Sequence, residues 1–244
     1  MKRKRILYGG IGLLVVLIGA FIGFVVWAGS TNPVMDEAIA ALESDATVTV
    51  EQEEWIVFRP TERASQVGFI FYPGGRVDAR AYAPLMRAIA AEGYLTVIVP
   101  MPLNLAVLDI ERAAEVMAAY PDVERWAIGG HSLGGAMAAS YTYSHPDHID
   151  GLVLYAGYPA ESNSLADANL PVMSIYGTRD GRFQDLEAST PLLPGNTTYV
   201  VIEGGNHAQF GYYGLQHGDG EATISWKAQQ EQSLWATLDL LDNL

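Results

Sequence analysis

Six stretches of the chain are apolar almost without interruption: residues 67–72, 95–99, 125–129, 152–155, 172–176 and 199–202. Strands covered on both faces read this way, because neither face is left for polar residues. Helix-compatible segments fall between them, at about 82–91, at about 107–119 and directly after Ser132. Ahead of the series, residues 47–50 and 54–58 predict a strand pair, expected to be antiparallel. Residues 35–42 predict a helix with Asp36 and Glu37 in its first turn, and residues 226–241 a closing amphipathic helix. The alternation implies an α/β fold with a doubly wound, mostly parallel central sheet and right-handed crossovers. Residues 156–171 are too few for a large lid. No internal repeat or low-complexity tract interrupts the pattern.

One apolar run belongs to neither period. Lys2-Arg3-Lys4-Arg5 precedes residues 6–27, which carry no charge. A helix over that run spans roughly 30 Å, the thickness of a bilayer core. Basic residues on one flank alone place the N-terminus in the cytoplasm and the remainder outside, with Trp27 at the outer interface. Val26-Trp27-Ala28 also has the form of a signal-peptide cleavage site. The run exceeds a usual signal core, so a retained single-pass anchor is the expectation. The chain then divides into a stub and anchor (1–29), a short linker and helix (30–45) and a catalytic domain (46–244). Gly19 and Gly23 have GxxxG spacing, which chance explains in a glycine-rich run.

Charge and cysteine narrow the function. All 28 acidic residues but only ten of the 14 basic ones lie beyond the anchor, giving that part a net charge of −18 with neutral histidines. Nucleic-acid binding needs a basic footprint and is excluded; anionic lipid heads are disfavoured. With no cysteine, the chain has no disulfide, thiolate metal site or cysteine nucleophile. Asn196-Thr197-Thr198 is a glycosylation sequon in form only.

Chemistry concentrates in Gly130-His131-Ser132-Leu133-Gly134, which lies between a predicted strand and a predicted helix. That context makes G-x-S-x-G a nucleophile elbow, whose flanking positions leave no room for side chains. The Leu133 amide then stands at a helix N-terminus, where it can bond a developing oxyanion. A serine hydroxyl needs a base, and the base an acid to fix its tautomer. In this fold the order is Ser, Asp or Glu, then His. Asp180 follows the 172–176 strand and His207 the 199–202 strand, where doubly wound sheets place their sites. Glu161 and Asp167 are alternative acids, and His217 an alternative base. His131, inside the elbow, is expected to point away; His145 and His148 fall in a polar loop. After the first central strand comes Pro73-Gly74-Gly75-Arg76. There Gly75 is the expected second oxyanion donor and Arg76 the alternative. Arg76 can also pair with a substrate carboxylate, and Gly74 lies beside it.

Tyr72-Pro-Gly-Gly-Arg, Gly130-His-Ser-Leu-Gly-Gly, Gly177-Thr-Arg-Asp-Gly and Gly204-Gly-Asn-His-Ala-Gln-Phe-Gly together resemble the alpha/beta-hydrolase superfamily. The chain is most similar to the small, lid-less bacterial alpha/beta hydrolase family five, close to the dienelactone-hydrolase group. The resemblance runs from about Val48 to Leu244. It implies Ser132 as nucleophile, Asp180 as acid and His207 as base, with no metal or organic cofactor. Dienelactone hydrolases carry cysteine where this chain has Ser132, so their lactone substrate does not carry over. Residues 211–224 also look family-like, with a structural tail loop as the default, and Gln209, Tyr212 and Gln216 are candidate substrate contacts. The expectation is a membrane-anchored, extracytoplasmic serine hydrolase cleaving small carboxylic esters through an acyl-enzyme. A thioesterase, amidase or acyltransferase on the same triad is the alternative. A silent binding module is the other, although no triad member is missing. The sequence does not set the oligomeric state.

Overall fold

The computed structural model describes residues 2–62 and 66–244, with side chains from residue 12 onward. The basic stub Lys2 to Arg5 therefore lies outside the described side chains. Helix α1 (Lys2–Gly29) is followed by a five-residue helix α2 (Asp36–Ala40). Strands β1 (Val48–Gln52) and β2 (Ile56–Pro60) pair antiparallel, as expected from the sequence. The series then runs β3 (Val67–Tyr72), α3 (Ala83–Ala91), β4 (Leu95–Ile98), α4 (Arg112–Ala119), β5 (Arg125–His131) and α5 (Leu133–Ser144). It ends with β6 (Gly151–Tyr155), β7 (Val172–Gly177), α6 (Phe183–Ala188), β8 (Thr198–Ile202) and α7 (Trp226–Asp242).

The eight strands form one sheet in the order β1-β2-β4-β3-β5-β6-β7-β8. Pairings from β4 through β8 are parallel, and β2 runs antiparallel to β4. Burial explains the unbroken apolar runs. Every residue of β3, β4, β6 and β7 is buried, and successive side chains enter opposite layers. Phe69, Phe71 and Tyr155 join one layer with Met86 and Ile89 of α3 and Leu238 of α7. Ile70, Tyr72 and Leu154 join the other with Val116 of α4 and Ala138 and Tyr141 of α5. The 156–171 connection holds only a single 3₁₀ turn, Glu161–Asn163, so no large lid covers the sheet.

Two elements depart from the pattern. The helix expected from 107 begins at Arg112; before it, 3₁₀ turns at Pro102–Asn104 and Ala106–Leu108 carry the chain across the sheet's end. Leu103 and Asn104 hold φ of 52° and 55°, and the Asn104 carbonyl accepts the Arg76 amide at 2.8 Å. A long-range contact thus overrides local helix propensity. Helix α6 follows Asp180, an element outside the helices expected from the sequence. Helix α1 stands apart from both layers: Leu13, Val16, Phe21 and Val26 are exposed, although the segment Gly12–Gly29 is long and apolar enough to cross a membrane.

The chain reverses direction across the sheet between β3 and β5, and a crevice opens there at the strands' C-terminal ends. Close packing shapes it. A Cβ on Gly134 would collide with the Tyr72 and Pro73 carbonyl oxygens, and one on Gly130 would come within 2.5 Å of the Gly134 carbonyl carbon. Gly134→Ala should therefore destabilise the fold by about 2 kcal/mol or more. Thermal unfolding against the wild type measures this, and an unchanged midpoint would contradict the packing argument.

Candidate active site

Ser132 alone joins β5 to α5, so one residue must turn the chain. Its backbone lies at φ 55°, ψ −118°, a conformation costing a non-glycine residue roughly 1–3 kcal/mol. The Ser132 amide donates to the Tyr155 carbonyl at 2.9 Å, and its carbonyl accepts the Ala136 amide at 3.0 Å. The serine is thereby presented to a cavity of about 640 Å³ that also reaches Gly74, Gly75, Leu133, His131 and His207.

Asp180 and His207 arrive on the loops after β7 and β8. His207 Nδ1 donates to Asp180 Oδ2 at 2.7 Å, and both side chains are buried. Asp180 Oδ1 accepts the Arg182 amide at 2.8 Å, which fixes the carboxylate's plane. The 211–224 loop secures this pair. Asp219 accepts the amides of His207 (3.1 Å), Ala208 (2.8 Å) and Gly181 (3.2 Å), tying the loop of Asp180 to the loop of His207. From α7, Gln229 accepts the Asn206 amide at 3.0 Å and donates to the Asn206 carbonyl at 2.7 Å. Nothing local in Gly218-Asp219-Gly220 signals this, because the partners lie far back along the chain.

The Ser132 hydroxyl does not bond His207. Arg182 lies between them: Nη2 donates to Ser132 Oγ at 2.8 Å and to His207 Nε2 at 3.2 Å. The sequence showed only an arginine two residues past the acid. The arginine is exposed to solvent.

His131 corrects the expectation that it points away. Its ring packs 4.4 Å from the His207 ring, among Tyr82, Phe210 and Tyr213. The Tyr82 hydroxyl accepts the Gly74 amide at 3.0 Å and shares a 2.8 Å hydrogen bond with His131 Nδ1. Burial, then charge at His207 and Arg182, holds the His131 pKa well below 6.5. His131 is therefore a neutral wall beside the base.

The Leu133 and Gly75 amides meet no acceptor among the described residues, and a Cβ on Gly75 would lie 3.0 Å from Leu133 Cδ2. Gly75 and Leu133 thus pack against each other in the cavity wall. The Arg76 amide is committed to Asn104, which removes it as an oxyanion donor. Its guanidinium is also engaged: Nε donates to the Trp27 carbonyl at 2.9 Å and Nη2 to the Ser30 carbonyl at 3.0 Å. Gln209 is buried outside the cavity, with Nε2 on the Ile224 carbonyl and its own carbonyl accepting from Gln230. Tyr212 also lies outside it, its backbone bonded to Ala81 and Met35; its neighbour Tyr213 lines the cavity instead, with Gln216. His217 reaches the cavity's edge but is exposed and meets no carboxylate among the described residues. Glu161 is exposed, and Asp167 lines a different cavity. His145 pairs with Glu111 at 2.9 Å and stacks on His148. Among the described residues no cluster of three His, Cys, Asp or Glu side chains is set to hold a metal.

Residues 68–231 match the alpha/beta hydrolase family, and the chain belongs to it. A predicted CIB-like hydrolase from Thermoplasma acidophilum superposes with a TM-score of 0.58 at 16% identity, over 81% of this chain and 100% of that one. Est1E from Butyrivibrio proteoclasticus gives 0.59 at 12%, over 81% and 100%. Dienelactone hydrolase from Anabaena variabilis gives 0.55 at 15%, over 82% and 98%. At these identities the likeness is one of fold. No curated protein matches the chain's sequence.

The buried His131 sets a pH dependence of stability. Its native pKa is depressed, so below 6.5 the unfolded chain binds a proton that the native state refuses. Stability should fall as pH drops through 6.5, by up to about 1.4 kcal/mol per pH unit from this group. Urea unfolding of the wild type and His131→Gln between neutral and mildly acidic pH checks it. The variant should lose this part of the slope, and equal slopes would refute the assignment.

Proposed function

We propose that this protein is a serine hydrolase of carboxylic esters, anchored by α1 with its catalytic domain, residues 46–244, outside the cytoplasm. The observation that carries the reading is the convergence on one cavity of a strained Ser132 and a buried His207–Asp180 pair. Catalysis begins when the Arg182 guanidinium gives way and Ser132 Oγ turns to His207 Nε2. Oγ attacks the ester carbonyl carbon while its proton passes to Nε2. The tetrahedral oxyanion is held by the amides of Leu133 and Gly75. On collapse the C–O bond breaks, and the leaving alcohol takes the proton from His207. Water, deprotonated in turn by His207, attacks the acyl-Ser132 carbonyl; the acid departs and the serine regains its proton. Asp180 orients the imidazole and stabilises its cation throughout. Every step is supplied by side chains and amides of the chain itself.

Ser132→Ala should fold normally yet lose hydrolysis of p-nitrophenyl butyrate by about a thousandfold or more. His207→Ala should be comparably severe, because the triad acts as a unit. A fluorophosphonate should label the wild type and not Ser132→Ala. Labelling of the variant, or near-wild-type turnover by it, would sink the mechanism.

The exposed apolar surface of α1 supports a retained anchor, as does the packing of its end on the domain. Ala28, at the cleavage-like site, is fully buried, and the Trp27 carbonyl is bonded to Arg76. Carbonate washing should leave the full chain in the membrane fraction. External protease should reach the catalytic domain without lysis of the inner membrane. A soluble mature chain beginning near Gly29 would replace the anchor with a cleaved signal.

A further inference from the structure

The end of α1 is built into the wall of the catalytic cavity. Trp27, Ser30 and Asn32 line it together with Ser132 and His207. The attachment is made on two sides. On one, Arg76 bonds the Trp27 and Ser30 carbonyls, and its guanidinium lies 4.5 Å from the Trp27 ring centroid. On the other, Asn32 Nδ2 donates to the Leu215 carbonyl at 3.2 Å, and the Met35 amide to the Tyr212 carbonyl at 2.9 Å. The Pro102–Asn104 turn also packs on α1. No flexible tether separates the spanning helix from the site.

Depth follows from this attachment. With Gly12–Gly29 crossing the hydrocarbon, the helix rises about 27 Å and leaves Ser30 and Asn32 at the outer boundary of the bilayer core. Ester carbonyls of membrane lipids lie at that same boundary, between acyl chains and head groups. A second observation agrees. Leu215 on the cavity's edge is 75% exposed, and Val107 and Leu108, just beyond the cavity-lining Leu105, are 52% and 49% exposed. In water these side chains would form an uncovered apolar rim; against a leaflet they are in contact with lipid.

We infer that the substrate is a long-chain acyl ester held in the outer leaflet of the protein's own membrane. It enters between the end of α1 and the 102–108 turns, with its chain still in the bilayer. The net charge of −18 beyond the anchor favours neutral or zwitterionic esters over anionic ones. The inference rests on the anchored-esterase reading and adds the substrate class and its route.

Full-length protein in phosphatidylcholine vesicles tests it, with 4-methylumbelliferyl oleate as the membrane ester and p-nitrophenyl butyrate as the water-soluble one. Oleate in the enzyme's own vesicles should turn over at least roughly tenfold faster than oleate in separate vesicles, because the shared membrane raises its effective concentration. Val107→Asp with Leu108→Asp should cut oleate turnover severalfold and leave butyrate turnover unchanged. Equal rates from the two vesicle arrangements, or hydrolysis of butyrate without oleate, would overturn the inference while the esterase reading stands. If the aspartate pair abolishes butyrate turnover as well, the wild-type vesicle comparison decides. Loss of all ester hydrolysis in folded wild type would remove the esterase reading and this inference together. Release of active protein by carbonate would remove the anchor and, with it, the route.

Discussion

The contact between the start of α5 and the end of β3 is the constraint on which the site depends. Gly134 lies against the Tyr72 and Pro73 carbonyl oxygens, and Gly130 lies against Gly134. That approach holds Ser132 in a left-handed backbone that an isolated serine would leave. Packing maintains the strain, and the strain aims the side chain. It also sets Leu133 beside Gly75, so the residues proposed as nucleophile and oxyanion donors are placed by one contact. The sheet supplies the remaining distance, because β7 and β8 deliver their loops to the same end as β5.

The layers of the fold and the principal residues of the site were legible in the sequence for physical reasons. Strands buried on both faces leave unbroken apolar runs. An elbow needs glycines on both sides of its serine. Asp180 and His207 follow their strands at short distance, so locating the strands located them. What the sequence hid was long-range. Arg182 reads as a solvated arginine until the β7 loop is folded back onto the β5 elbow. His131 was expected to face away from the serine. Strand alternation does place it on the Phe71 and Tyr155 face, but the β8 loop brings His207 to that same face. Asp219 and Gln229 act on backbone amides, which no side-chain pattern announces. Gln209 and Tyr212 were near the base in sequence but turned into the core and toward α2, leaving Tyr213 to line the cavity.

The Arg182 position gives the resting site an internal occupant. A guanidinium that donates to Ser132 Oγ and His207 Nε2 satisfies both groups while separating them. The hydroxyl oxygen is hydrogen-bonded and the imidazole lone pair is engaged, so in the proposed mechanism neither acts until Arg182 withdraws. Because Arg182 is exposed, a substrate filling the cavity exchanges one set of hydrogen bonds for another instead of opening a dry gap. The His207–Asp180 pair is thus already assembled, whereas the Ser132–His207 contact that the proposed mechanism needs depends on Arg182.

The clamp of Arg76 on the end of α1 has a mechanical meaning. A spanning helix adjusts its tilt to the thickness of the bilayer around it. In a protein joined to its helix by a loose linker, that tilt stops at the interface. Here the Trp27 and Ser30 carbonyls are bonded to the loop that carries Gly75, so helix and cavity turn as one lever. With α1 spanning the bilayer as proposed, a thinner or thicker membrane would rotate the cavity mouth toward or away from the lipid surface, making bilayer thickness an input to catalytic access.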